Sequence, residues 1–296
     1  MYINIDTKEK NMSKRTIIHI ADAHISKAYS SQTSEMLKAL IKDIKNQAEG
    51  NIDFIIFSGD LVQSGKEENF SFALDSFIMP LLQETGVSED RFIYVPGNHE
   101  VDIDKIDNDF AIGFTDRILR DGVKDEDFKN LNVQNRLKGF FSFSELFFKW
   151  NQEEVAISRK IELDGITYGI SYVNTAWNSA GDSSKEAKKV IVPREALVKS
   201  FNDISSCDKK IILMHHPIDW FEDDNAYDAE SILNKYDFVL TGHKHHESSK
   251  QYVHANGRTI VNAVSKLDIS GNENGYAIID LEDDQVVIKN RKYSLF

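Results

Sequence analysis

Residues 52–60 read IDFIIFSGD: a short apolar run rich in β-branched and aromatic residues that stops abruptly at Gly59 and Asp60. Four other stretches repeat the pattern. RTIIHI (15–20) precedes Asp22, RFIYV (91–95) precedes Pro96, Gly97, Asn98 and His99, KKIILM (209–214) precedes His215 and His216, and DFVLT (237–241) precedes Gly242 and His243. Runs this short with little polar alternation are expected for strands covered on both faces. Each carries its polar residues at one end.

Helical periodicity fills the gaps between the first three runs. SSQTSEMLKALIKDIKNQ repeats apolar residues at Met36, Leu37, Leu40, Ile41 and Ile44, and NFSFALDSFIMPLLQE at Phe70, Leu74, Phe77, Ile78 and Leu81. Strand alternating with helix predicts right-handed crossovers and a largely parallel sheet, in which ligands bind beyond the carboxyl ends of the strands. All five polar clusters fall there. Residues 101–160 are expected to be a helical insertion beside the site, and the aromatic run Phe140 to Trp150 within it to be core. GITYGISYV (165–173), RTIVNAV (258–264), GYAIIDL (275–281) and the run from Gln285 suggest a second sheet. With no repeat and no Pro/Gly-rich linker, 1–296 reads as one domain, residues 1–11 being a disordered lead or an upstream start ahead of Met12.

The chain has 296 residues, and its 35 basic against 48 acidic side chains give a net charge of −13, which argues against general nucleic-acid packaging. One cysteine, Cys207, cannot form an internal disulfide, which fits a reducing compartment. No apolar run is long enough to span a bilayer and the start lacks a secretory h-region, so the reading is a cytoplasmic protein without membrane contact.

Seven of the nine histidines (His24, His99, His215, His216, His243, His245, His246) sit in the strand-end clusters. Asp22 with His24, and His243 with His245, are i, i+2 pairs that in extended backbone would point to one side. Gly59 and Gly97 allow sharp turns next to Asp60 and Asn98. Asp22, His24, Asp60, Asn98, His215, His243 and His245 offer seven oxygen and imidazole ligands, too many for one tetrahedral ion. They suit two ions sharing a carboxylate about 3.5–4 Å apart. A ligand set without thiolate favours Mn, Fe, Zn or Co, without choosing among them.

In order, the motifs Asp22/His24, Gly59-Asp60, Gly97-Asn98-His99-Glu100, His215 and Gly242-His243 with His245 are similar to the signature of the calcineurin-like metallophosphoesterase superfamily, over residues 22–245. The resemblance implies an α/β, four-layer sandwich of two mixed sheets flanked by helices. It implies that Asp22, His24 and His245 hold one metal, that Asn98, His215 and His243 hold the second, and that Asp60 bridges. Gln63 and Ser64 stand where the protein phosphatases of the superfamily continue toward an arginine, and Gln63 stands where purple acid phosphatases have a tyrosine ligand. GDLVQSG, PGNHE and MHHP are most similar to bacterial class III cyclic-nucleotide phosphodiesterases and their relatives.

The expected activity is hydrolysis of a small phosphodiester or phosphomonoester, nucleotide-like, by a metal-bridging hydroxide. Asp60 and His99 are the candidate catalytic residues, His99 as proton donor to the leaving oxygen. Glu100 is expected to orient His99 or a ligating histidine, and His216, Asn174 and His246 to lie behind the ligands or face substrate. A DNA nuclease of the same superfamily is disfavoured because no Lys/Arg stripe accompanies the motifs. A non-catalytic scaffold is disfavoured because no ligand of the signature is missing. Oligomeric state is left open.

Overall fold

A computed structural model describes residues 14–48, 50–105, 107–124, 126–180, 186–244, 251–253, 259–262, 274–282 and 285–293. His245, His246 and the 1–11 lead lie outside them. The first sheet has the order β11-β10-β1-β2-β3, built from β1 (Arg15–Ile20), β2 (Ile52–Phe57), β3 (Phe92–Tyr94), β10 (Asn274–Glu282) and β11 (Gln285–Tyr293). β1, β2 and β3 run parallel, and β10 closes on β1 antiparallel. The second has the order β4-β5-β6-β7-β9-β8, from β4 (Ala156–Leu163), β5 (Ile166–Val173), β6 (Lys209–Met214), β7 (Phe238–Thr241), β8 (Gln251–Val253) and β9 (Thr259–Asn262). Both sheets are mixed and flanked by helices.

Burial explains the strand runs. Every residue of β1 is buried, as are Phe54 to Phe57 and Phe92 to Tyr94. The polar exception inside β1, His19, reaches Ser58 Oγ at 2.9 Å, and burial pushes its imidazole down to about 3, so it is a neutral core residue. The sheets meet through aromatic side chains, with the rings of Phe54 and Tyr168 centred 5.4 Å apart.

The expected helices form. α1 (Ser30–Gln47) buries Met36, Leu37, Leu40 and Ile44. The second periodic stretch is α2 (Glu67–Ala73), a π-helical turn (Leu74–Ile78) and α3 (Met79–Thr85). Pro80 causes the widening: it has no N–H to give to the Ser76 carbonyl, and its ring would crowd that carbonyl in a regular helix.

Two expectations are corrected. The late strands do not all join the second sheet: β10 and β11 form a hairpin on the first, because Tyr276, Ala277, Ile278, Ile279 and Leu281 are buried and need a central position, which β1 provides. The insertion ends before residue 160. Its helices are α4 (Asn108–Asp121), α5 (Asp127–Asn130), α6 (Val133–Arg136) and α7 (Lys138–Ser144), and residues 156–160 belong to β4. The aromatic run is core as expected, with Phe140 against Tyr94 and Phe147 against Phe92 at centroid distances of 5.4 and 4.7 Å. α8 (Arg194–Ile204) covers β4 and β5, and α9 (Asp223–Leu233) leads into β7.

Candidate metal centre

Parallel β1, β2 and β3 deliver Asp22, Asp60 and Asn98 to one edge of the first sheet, and parallel β6 and β7 deliver His215 and His243 to the second. Backbone hydrogen bonds zip the loops together. The amides of Asp22, His24 and Ile25 donate to the carbonyls of Gly59, Asp60 and Leu61 at 3.0, 3.0 and 2.8 Å. Glu100 is buried at the junction, where its carboxylate accepts the N–H groups of Asp60 (2.7 Å), Gly97 (2.6 Å) and Val62 (3.0 Å). The expectation that Glu100 orients a histidine is therefore corrected. Both oxygens are occupied by backbone amides, so it braces the two glycine loops.

Glycine is required at these loops. A Cβ on Gly97 would lie 2.2 Å from Asp60 Oδ1, and one on Gly59 2.5 Å from His215 Nδ1. Seven non-glycine residues among those described have positive φ, and four of them are site residues: Asp22 (54°), His24 (46°), Asp60 (54°) and His243 (72°). Such backbone costs energy and collects where surrounding contacts over-determine it. This corrects the extended geometry expected for the Asp22/His24 pair. The left-handed turns send the two side chains apart, Asp22 toward Asp60 and His215, and His24 toward Asp60 and His99.

In each of those two groups the ligand atoms lie within 4.8 Å of one another, and Asp60 belongs to both. Asp60 is buried; its Oδ1 accepts the His99 N–H at 2.9 Å and its Oδ2 lies 3.3 Å from His215 Nε2. His215 crosses from the second sheet, with Nδ1 2.8 Å from the Ser58 carbonyl, and its Nε2 faces Asn98 Oδ1 at 3.3 Å and His243 Nδ1 at 3.0 Å. A third group of candidate ligand atoms joins His215, His216 and His243. Burial works against charging His215, but the Asp60 carboxylate outweighs it and raises the imidazole to about 10. In the same pair, burial works to raise Asp60, and His215 holds it well below the usual carboxylate range. Burial, aided by the Asp60 charge, lifts Glu100 to about 7.

His99 is half-buried. Its Nδ1 lies 3.0 Å from the Gln63 carbonyl and its ring stands edge-on to His24 with centroids 4.5 Å apart. His216 is fully buried and turned to Thr175. Asn174 is buried, with Oδ1 accepting the Ala176 N–H at 3.0 Å. The buried Trp177 donates its indole N–H to the Ile191 carbonyl at 2.7 Å. Lys244 pairs with Asp219.

The calcineurin-like phosphoesterase family model matches residues 15–247, a span that contains every element just described. The chain belongs to this family. A curated relative, the uncharacterized metallophosphoesterase-like protein YydB of Bacillus subtilis strain 168, is 22% identical over 238 residues, covering 73% of this chain and 46% of that protein. The chain thus spans about half the length of the curated relative it matches. Among solved structures, a dimetal phosphatase from Danio rerio superposes with a TM-score of 0.53 at 12% identity, covering 95% of this chain and 99% of that one. A hypothetical protein from Thermus thermophilus gives 0.50 at 12% identity, covering 94% and 99%. These likenesses establish the phosphoesterase fold, two mixed sheets flanked by helices.

Sequence reasoning missed Thr175, Glu186 and Trp220. The Trp220 ring lies edge-on to His243 with centroids 4.0 Å apart. Glu186 lies 3.6 Å from His216 Nε2, and that contact outweighs burial to hold its carboxyl below the usual value. Nothing in the run KEAKK around Glu186 distinguishes it from a solvated charge. Its role depends on contacts made across 30 residues.

Proposed function

We propose that the chain is a hydrolase of small phosphodiesters or phosphomonoesters, nucleotide-like esters among them, working as a single phosphoesterase domain with two cations drawn from Mn, Fe, Zn or Co. Asp22, His24, Asp60, Asn98, His215, His243 and, outside the described residues, His245 would hold them, with Asp60 shared.

One observation carries this reading. The Ser58 carbonyl can only accept, so it fixes a proton on His215 Nδ1 and leaves the lone pair of the neutral ring on Nε2. That lone pair meets the Asn98 carbonyl oxygen, an Asp60 oxygen and His243 Nδ1, all within 3.3 Å. Two oxygen acceptors converging on an acceptor nitrogen in a buried place favour a positive charge among them, a proton or a cation. The donor set fits hard and borderline cations. Bound there, they would supply charge neutralisation for a phosphate and acidify a water.

The protein's own residues do the rest. Asp60 holds the His99 backbone N–H, and Gln63 fixes His99 Nδ1, so the ring is set with Nε2 as the nitrogen left for a substrate oxygen. As an imidazolium, His99 would give its Nε2 proton to the leaving oxygen and keep the Nδ1 proton on Gln63, a transfer worth about 100- to 10,000-fold. Glu100 keeps the loops carrying Asp60 and Asn98 in register while the substrate binds. No helix among the described residues is long and apolar enough to cross a membrane, and Cys207 is buried and free, which supports a reducing, cytoplasmic setting.

The test is metal analysis of the purified protein, then turnover of bis-aryl and mono-aryl phosphates, 2′,3′- and 3′,5′-cyclic nucleotides and linear DNA with added Mn²⁺. The expected outcome is bound metal and chelator-sensitive hydrolysis of small esters. His99→Ala should lose activity on poor leaving groups and keep it on activated aryl phosphates. Full activity in chelator overturns the reading, and rapid, salt-sensitive DNA cleavage would assign the chain to the nucleases.

A further inference from the structure

Behind the metal centre lies a buried polar chain that the hydrolytic reading does not use. His216 is fully buried, and Thr175 holds it twice: the Thr175 hydroxyl accepts the His216 backbone N–H at 3.1 Å and lies 2.8 Å from its Nδ1. The hydroxyl has one hydrogen and two lone pairs, and one lone pair takes the backbone N–H, so its contact with Nδ1 suits either tautomer of the ring. On the other side of the ring, Nε2 faces Glu186 Oε2 at 3.6 Å. A carboxylate facing a ring nitrogen favours N–H there over a lone pair. Glu186 is therefore the contact that selects the tautomer, with the proton on Nε2 and the lone pair on Nδ1 left to take the Thr175 hydroxyl hydrogen.

Glu186 is itself held. Its Oε1 accepts the hydroxyl of Ser179 and, at 3.1 Å, the N–H of Ala180. The carbonyl of the same Ser179 accepts from the guanidinium of Arg136, which is 1% exposed and sits at the end of α6 in the insertion. The opposite charges of Glu186 and Arg136 thus lie on either side of one residue. Burial works against the Arg136 charge and the Glu186 carboxylate supports it, since a buried charge without a counter-charge is costly. Thr115 of α4 fastens the same segment by donating to the Asn178 carbonyl at 3.1 Å.

The far end of this chain touches the ligands. The His216 ring is centred 4.8 Å from that of His215 and 4.6 Å from that of His243. A histidine this close to two ligating rings is a competitor for the cation unless its lone pair is occupied elsewhere.

We propose that Glu186, balanced by Arg136 of the insertion, is a positioning residue that fixes His216 as its Nε2–H tautomer, so that His216 backs His215 and His243 instead of competing for metal. The insertion thereby contributes to the centre without reaching the substrate. The inference rests on the hydrolase reading only for the identity of the two neighbouring ligands.

The experiment is ¹⁵N NMR of the histidine side chains in the full chain, stripped of metal and then titrated with Zn²⁺. The expected result is an Nε2–H tautomer for His216 in both states, with zinc-induced changes at His215 and His243 ring nitrogens and none of ligation at His216. Glu186→Gln should shift His216 toward the Nδ1–H form and weaken zinc binding by about 10-fold, the lower end of what a supporting residue is worth. Glu186→Asp, which keeps the charge, should keep the wild-type tautomer. A wild-type His216 protonated on Nδ1, zinc ligation by His216, or an unchanged tautomer in a folded Glu186→Gln protein overturns the proposal. The wild-type spectra decide it even if the Gln variant fails to fold. Absence of zinc binding altogether would defeat the hydrolase reading and leave the metal-free tautomer result standing.

Discussion

The two sheets build their edges of the site by different means. On the first, the candidate ligands are mostly oxygens on short side chains, and the backbone aims them: Asp22 and Asp60 have left-handed φ of 54° each, and Gly59 and Gly97, before Asp60 and Asn98, admit no Cβ. On the second, the ligands are imidazoles, and although His243 is also turned by a left-handed φ of 72°, ring contacts do most of the steering. His215 follows directly on β6, and its direction is set at the ring, by the Ser58 carbonyl on one nitrogen and the Asp60, Asn98 and His243 groups on the other. A carboxylate two bonds from the backbone can be placed only by placing the backbone. An imidazole is long enough to be steered by its hydrogen bonds.

Asp60 is where the two modes meet, so its loss should be the largest effect. Asp60→Asn removes the charge shared by both groups of ligand atoms. The expected result is a fall in kcat of about 1,000-fold or more, from losing several kcal/mol of charge stabilisation, together with metal content reduced by at least one equivalent. A folded Asp60→Asn protein retaining two tightly held ions would break the idea of a shared carboxylate.

Next in size is a pH effect of the metal-free chain, a few kcal/mol across the whole range. Glu100 is raised from 4.5 to about 7, so its neutral form is favoured on folding and stability falls as pH rises between those values. His215 is raised from 6.5 to about 10, so its contribution is complete below 6.5 and is lost as pH rises toward 10. Asp60 acts oppositely, its contribution being lost only on acidification below its ordinary 3.8. Below 6.5 the Glu100 effect is opposed by His19, whose imidazole, pushed down to about 3, adds stability as pH rises, so thermal melts in chelator should decline from about pH 7 to pH 10. Glu100→Gln should make the melts rise more steeply with pH between 4.5 and 6.5, a first-sheet effect, and His215→Gln should flatten the decline from 7 to 10, a second-sheet effect. A melt independent of pH from 7 to 10 would show that His215 does not carry the proton assigned to it.

The same contrast explains what was legible in the sequence. The first-sheet motifs are readable because a left-handed Gly59 before Asp60, and a Gly97 that leaves room for Asp60 Oδ1 before Asn98, leave Gly59-Asp60 and Gly97-Asn98 as adjacent letters. The buried strands are readable because covered strands tolerate only apolar runs. What escaped was side-chain steering. Thr175 and Glu186 meet His216 from 41 and 30 positions away, and Arg136 reaches Ser179 from 43 away, as ordinary polar residues in ordinary polar stretches. Glu100 was visible as part of a motif, but its three backbone partners were not. The placement of β10 and β11 was hidden for a related reason: a buried strand announces that it is central, never which sheet it is central to.

The smallest effects separate backbone aiming from general packing. Gly97→Ala puts a methyl 2.2 Å from Asp60 Oδ1 and 2.7 Å from the Asp60 amide nitrogen, and the latter is backbone that Glu100 holds in place. The loop must shift, and crowding of this kind costs about 1–3 kcal/mol. Gly113→Ala, inside α4, meets nothing within 4 Å. There the methyl only removes the flexibility of the unfolded chain, and stability should rise by about 0.5–1 kcal/mol. Denaturant melts of the two variants should therefore move in opposite directions. Metal affinity should fall in Gly97→Ala and stay unchanged in Gly113→Ala. If Gly97→Ala lost stability and kept its metal affinity, the glycine would serve packing alone, and the aiming of Asp60 would have to come from Glu100.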